Sequence, residues 1–200
     1  MNEIEALNRT LFLHINGGNY TPAWLVQASI GMADYLIDLI PLLLLGLWLQ
    51  GDYARRNLAI KSCLIALLGV AANQIVGVVW PHPRPFMIGL GHAWIQHAAD
   101  PSFPSDHMTV FAGVGLTLLL DGAGEWGIAT MLTGLCVAWA RVFLGVHFPL
   151  DMVGAVGVAA CTYSIVSPLW RVLGASITSM TERLYRYLLA RPIAMGWIRN

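Results

Sequence analysis

Three short clusters in this 200-residue chain combine arginine, histidine, serine and aspartate at spacings that suit phosphate chemistry. The first is His82-Pro83-Arg84-Pro85-Phe86, and the second is Pro104-Ser105-Asp106-His107. The third runs from Arg141 through His147 to Asp151. Guanidinium forks match phosphate oxygens bidentately. Ser105 precedes an apolar run, so it falls at a helix start, where unpaired N–H groups and the helix dipole favour an anion. Pro149 suits a first helical turn, leaving His147 just outside it and Asp151 just inside. From there Asp151 is able to accept one imidazole N–H and hold the other nitrogen as a nucleophile. His107 is then the acid for a leaving group. Taken alone, His147 and Asp151 read equally well as a structural pair at a helix start. Arg84 between prolines also suits snorkelling to lipid headgroups, and Ser105 suits plain helix capping.

The elements that must position these clusters are apolar. The chain is 57% hydrophobic and 11% charged, against about 25% charged residues in a soluble domain. Its mean hydropathy is +0.64, so lipid must solvate part of the surface. Five apolar stretches cover approximately 24–49, 58–80, 105–120, 126–146 and 149–169. About 20 helical residues cross a hydrocarbon core of about 30 Å, and backbone in lipid must satisfy its own polar groups. The expected fold is therefore an all-α, polytopic membrane helix bundle of five to six transmembrane helices, forming one domain over 1–200. Residues 1–16 are expected as an interfacial or membrane helix, with Ile4, Leu7, Leu11 and Ile15 on one face. Residues 171–200 are expected as a basic tail with its own helix over 171–191. The 81–104 segment carries Pro81, Pro83, Pro85, Pro101 and Pro104, and is a loop.

Five spans place the 51–61 loop and the tail on one side. Together these hold eight of the eleven lysines and arginines, so that side is expected to be cytoplasmic. The clusters then face outward, at the periplasmic or extracellular side of a bacterial cytoplasmic membrane. The first ten residues, with two acids and no basic start, do not read as a cleavable signal peptide. A net charge of zero argues against a nucleic-acid partner. Cys63, Cys136 and Cys161 lie in apolar runs and read as packed or lipid-facing thiols.

Jointly the clusters resemble the type 2 phosphatidic acid phosphatase (PAP2) superfamily, which includes the vanadium haloperoxidases. Its pattern is Lys-x6-Arg-Pro, Pro-Ser-Gly-His and Ser-Arg-x5-His-x3-Asp. Arg84-Pro85, Pro104-Ser105-x-His107 and Arg141-x5-His147-x3-Asp151 match it in order. Gly77 stands where the pattern has lysine, Asp106 where it has glycine, and Ala140 where it has serine. Pro83-Arg84-Pro85-Phe86 and Ser102-Phe103-Pro104-Ser105-Asp106-His107 are similar to strings of the bacitracin-resistance branch, the undecaprenyl-diphosphate phosphatases. The resemblance implies that an isoprenoid lipid diphosphate is the substrate and that no metal or other cofactor is needed. It also implies roles: His147 attacks phosphorus to form a phosphohistidine, Asp151 orients it, and His107 protonates the leaving lipid phosphate. Arg84, Arg141 and Ser105 hold oxygens, and His82 and Asp106 are further candidates at the phosphate. Phosphatidylglycerophosphate, phosphatidate or lipid A are the alternative substrates, with phosphotransfer to a second lipid as a variant. A non-enzymatic anion transporter is disfavoured by short length and the lack of an internal repeat.

The remaining polar residues read more plainly. His82, His92 and His97 are able to bind a metal, but they lie on a proline-rich loop with no helical register and read better as surface histidines; His82, two residues before Arg84, is also a partial replacement for the missing lysine. Asp34 and Asp38 either mark a late span start or face the bundle interior, with an interfacial or structural role preferred. Asn73 and Gln74 read as interhelical hydrogen bonders. Trp24, Trp48, Trp80, Trp126 and Trp170 lie near span ends and fit interface belts.

Overall fold

The computed structural model describes residues 3–196, and among these every regular element is helical and there is no strand. The order is α1 (Glu3–Ile15), α2 (Ala23–Tyr35), α3 (Leu39–Gln50), α4 (Tyr53–Val79), α5 (Asp106–Leu120), α6 (Gly124–Phe143), α7 (Pro149–Leu188) and α8 (Ala190–Ala194). Four stretches are long and apolar enough to cross a membrane: Ala23–Gln50, Tyr53–Val79, Gly124–Phe143 and Pro149–Leu188. Helix α5 is apolar but only 15 residues long. It is also the most enclosed, with Phe111, Ala112, Val114 and Leu118 no more than 1% exposed. Protein, rather than lipid, therefore surrounds it, which is why a short helix suffices at the centre.

Small residues let the helices approach α5. A Cβ added at Gly127 on α6 would stand 2.5 Å from the Leu119 backbone nitrogen, and one at Gly134 would stand 2.6 Å from Phe111 Cβ. On the α4 side, a Cβ at Gly69 would lie 2.8 Å from Thr109 Cγ2. These contacts fix the depth of α5, and with it the position of His107 at its first turn.

Three expectations need correction. The 24–49 stretch is not one uninterrupted helix: a 3-10 turn at Leu36–Asp38 separates α2 from α3. Asp34 lies two residues before that turn and Asp38 ends it; both are exposed, so neither faces the bundle interior. The 149–169 span and the basic 171–191 helix are one continuous helix of 40 residues, with Pro168 inside it. At 1.5 Å per residue it is about 60 Å long, roughly twice a hydrocarbon core, so one end extends beyond the bilayer. Trp170 is not an interface anchor. It is 8% exposed, and its Nε1 donates to Asn57 Oδ1 at 2.9 Å.

The end of the bundle away from the clusters is pinned by buried charge. Arg56 pairs with Glu182 at 3.2 Å between α4 and α7, under the Trp48 and Tyr185 rings. Lys61 pairs with Asp121 at 2.6 Å, which matches the acidic 121–125 turn to the basic loop. Arg199 lies outside the described residues. All three cysteines are free and exposed on their helices, where lipid would face them.

Candidate active site

His147 occupies the turn between α6 and α7, and Asp151 the first turn of α7. The Asp151 carboxylate reaches back as a cap, its Oδ2 accepting the Phe148 backbone N–H at 2.7 Å. The same oxygen lies 3.1 Å from His147 Nδ1. A helix cap and an imidazole partner are thus one group, so the geometry accommodates both readings of this pair. Because the carboxylate accepts at Nδ1, the proton sits there and Nε2 carries the lone pair. Arg84 Nη1 stands 3.1 Å from Nε2 and can only donate, which fixes the same tautomer independently. His147 is 2% exposed. Burial outweighs the Asp151 hydrogen bond and charge, and Arg141 and Arg84 add to it, pushing His147 down to about 4. The ring is therefore neutral and its lone pair available at physiological pH.

Arg84, on the loop that follows α4, is held by that loop and by the α6–α7 turn. Its Nε donates to Asp100 Oδ1 at 2.9 Å and its Nη1 to Val146 O at 2.9 Å. Burial would raise Asp100, but the Arg84 hydrogen bond and charge bring it below the usual carboxylate range. Arg141, from the last turn of α6, places its two terminal nitrogens on two imidazoles. Nη1 is 3.3 Å from His107 Nε2, and Nη2 is 3.2 Å from His97 Nε2. Arg141 Nε is buried without a partner. Ser105 takes the N-cap position of α5, yet its side chain makes no cap bond. Its Oγ is buried and unpartnered instead, while its backbone N–H donates to Asp151 O at 3.2 Å.

A cavity of about 220 Å³ is bounded by Arg84, His97, Asp100, His107, Arg141 and His147 on one side and by Asn73, Gln74, Gly77 and Asp106 on the other. Gln74 and Val78 line it and are exposed, so it opens along the flank of α4. Two buried arginines and three imidazoles give it the chemistry that suits a polyanion.

The structure brings five of the eight expected residues, Arg84, Asp106, His107, Arg141 and His147, to the cavity lining; Asp151 lies behind His147, and Ser105 is tied to Asp151 just outside the lining. His82 does not join them. Its Nε2 faces Glu5 of α1 at 3.5 Å and its ring packs on Phe148, so it does not stand in for the missing lysine. Among the described residues no cation takes that place. Gly77 lies against Pro101, and the neighbouring face of α4 presents amides. Asn73 Nδ2 donates to Asp106 Oδ1 at 2.8 Å and to Thr109 Oγ1 at 2.9 Å, while Gln74 Nε2 donates to Asp106 Oδ2 at 3.2 Å. Asn73 and Gln74 are thus interhelical bonders, as expected, and they also line the site. Three residues were missed: His97, Asp100 and Ser102. His97 is no surface residue, since the Arg141 fork faces it; burial, with Arg84 and Arg141 adding, pushes it down. His97 and Asp100 lie on an irregular loop where no periodicity signals a shared target. Ser102 stands inside a recognisable string, but nothing in the string says what its hydroxyl meets.

Apolar helices enclosing an arginine–histidine cavity that opens along α4, with a carboxylate-bound imidazole in its wall, define a multi-pass membrane protein whose cavity has the groups to bind phosphate. The chain belongs to the PAP2 superfamily, whose family model matches residues 58–174. It is similar to YbjG of Escherichia coli (strain K12), 36% identical over 98% of this chain and 100% of that protein. It is also similar to the undecaprenyl-diphosphatase BcrC of Bacillus subtilis (strain 168), 30% identical over 76% of this chain and 79% of that protein. The crystal structure of Aquifex aeolicus LpxE shares the fold, with a TM-score of 0.63 at 22% identity, over 80% of this chain and 93% of that one.

Proposed function

We propose that this membrane lipid phosphatase hydrolyses undecaprenyl diphosphate to undecaprenyl phosphate and inorganic phosphate, through a phosphohistidine at His147. The observation that carries the reading is the His147 ring: Nδ1 fixed on Asp151 at 3.1 Å, and Nε2 presenting a lone pair beside the Arg84 fork at 3.1 Å. Similarity to BcrC, named an undecaprenyl-diphosphatase, supports the substrate.

The terminal phosphate enters the cavity and takes over the forks of Arg84 and Arg141, with Ser105 Oγ as a further partner. Nε2 attacks the terminal phosphorus as the bond to the bridging oxygen breaks. His107 hands a proton to the departing lipid phosphate. In the empty site His107 Nε2 accepts from Arg141 at 3.3 Å; once phosphate occupies that fork, Nε2 is free to carry a proton. Water, giving a proton to His107, then attacks the phosphorus as the P–N bond breaks, releasing phosphate and restoring both histidines. The scheme needs only this chain's side chains and water, so chelation is expected to leave turnover intact. The small cavity suits a phosphate headgroup, and the prenyl tail leaves along α4, where Ile75, Val78 and Val79 are 66%, 82% and 77% exposed. With the basic loop and tail cytoplasmic, the cavity faces the outer side of a bacterial cytoplasmic membrane.

Purified protein tests the substrate directly. Phosphate release from undecaprenyl diphosphate is expected to exceed that from phosphatidate, phosphatidylglycerophosphate and lipid A by at least about tenfold in kcat/KM, a difference of about 1.4 kcal/mol. Equal rates on all four lipids would overturn the substrate assignment.

A further inference from the structure

The Ser102 side chain is fully buried and has no place in the scheme above. Its backbone N–H is already used, donating to His82 O at 2.7 Å. Its hydroxyl goes elsewhere: Oγ donates to Asp151 Oδ2 at 2.5 Å and lies 3.4 Å from His147 Nδ1. Asp151 Oδ2 therefore receives three donors: the Ser102 hydroxyl, the Phe148 backbone N–H and His147 Nδ1. Ser102 is absent from the residues lining the cavity, so it meets the nucleophile only from behind.

We propose that Ser102 is a positioning residue for the hydrolysis, its hydroxyl fixing the Asp151 carboxylate that orients His147. The proposal rests on His147 being the nucleophile. A carboxylate oxygen held only by Phe148 and the imidazole is free to swing about its side-chain torsion, and the ring moves with it. The Ser102 hydroxyl supplies a third, rigid point from a different segment, which removes that freedom. It also draws electron density from Oδ2. Without it, Asp151 is a stronger acceptor, and a protonated His147 is better stabilised. The same loop supplies His97 to Arg141 and Asp100 to Arg84, so one non-helical segment braces both arginines and the nucleophile.

Two effects of Ser102→Ala follow. The misplaced ring lowers kcat by on the order of tenfold or more, while KM stays within about twofold because no phosphate contact is lost. The acid side of the kcat/KM profile moves to higher pH, since imidazolium forms more readily. The groups that otherwise set this titration are Asp151 on α7, Arg84 and His97 on the loop, Arg141 on α6 and His107 on α5, and all remain. A residue that only supported the fold would lower the amount of active enzyme without moving the pH profile.

The experiment compares kcat, KM and pH profiles on undecaprenyl diphosphate for the wild type, Ser102→Ala, Ser102→Cys and His147→Ala, with thermal melting of each. Ser102→Cys keeps the volume closely but offers only a weak donor, so it carries the test if the alanine variant fails to fold. The expected result is a kcat loss in either serine variant with the acid side shifted upward, and no turnover by His147→Ala. Wild-type kcat and an unmoved acid side in a folded serine variant, with His147→Ala inactive, would overturn the role of Ser102 alone. Turnover by His147→Ala would instead overturn the reading of the nucleophile, and the role of Ser102 with it.

Discussion

Arg141 places one terminal nitrogen on His107 and the other on His97. A lysine offers one compact charge and cannot serve both. Arg141→Lys is therefore expected to lower kcat/KM by about 10²–10³-fold, the scale for loss of a preorganised donor to transition-state charge. Steady-state kinetics on the folded variant checks this; a loss below about threefold would argue that the fork does not hold phosphate. His147 makes a prediction about pH. Its folded value of about 4 lies below the ordinary 6.5, so between those values the unfolded chain binds the extra proton. Stability from the buried neutral ring is full above pH 6.5 and is lost as pH falls toward 4. Thermal unfolding in detergent is expected to show a falling melting temperature across that window, and His147→Ala is expected to flatten the fall. At this scale the sequence was a good guide to the motif residues, because arginine, histidine and aspartate at those spacings have few other uses inside a membrane. It failed for His82, His97 and Asp100, whose targets depend on how an irregular loop folds back.

Among the elements, the α5–α6 contact makes the sharpest demand. The Leu119 backbone leaves no room for a side chain at Gly127, so Gly127→Ala is expected to destabilise by about 1–3 kcal/mol, the usual cost of overpacking. Thermal or denaturant unfolding measures it. Because α5 carries His107 and Ser105, the residual fold is also expected to lose activity. The Arg56–Glu182 pair makes a second demand. Glu182→Ala leaves a 2%-exposed arginine without its carboxylate, at a cost of about 3–5 kcal/mol. Hydropathy located the membrane helices, since runs of apolar residues leave little ambiguity. It could not locate the break at Leu36–Asp38, which falls inside an apolar stretch. Nor did it show that α7 runs through Pro168 to Leu188. That continuity depends on tertiary partners such as Trp170 with Asn57, which local pattern does not reveal.

For the whole molecule, the bundle places chemistry at one end and buried charge pairs with a basic surface at the other. Arg55, Arg171, Arg183, Arg186 and Arg191 are all exposed on that second end, which is the asymmetry expected of a cytoplasmic face. A cysteine introduced at Gln96, in a background lacking the three native cysteines, is therefore expected to react with a membrane-impermeant thiol reagent added outside intact cells. Labelling only after permeabilisation would reverse the orientation. The central claim is chemical, and it is tested most directly by trapping the intermediate. Undecaprenyl diphosphate labelled at the terminal phosphate is mixed with purified protein, denatured rapidly under alkaline conditions and digested. The account predicts label on the peptide carrying His147, lost on exposure to acid and absent from His147→Ala. Label on a different residue, or full turnover by wild type with no labelled protein at any reaction time, would contradict it.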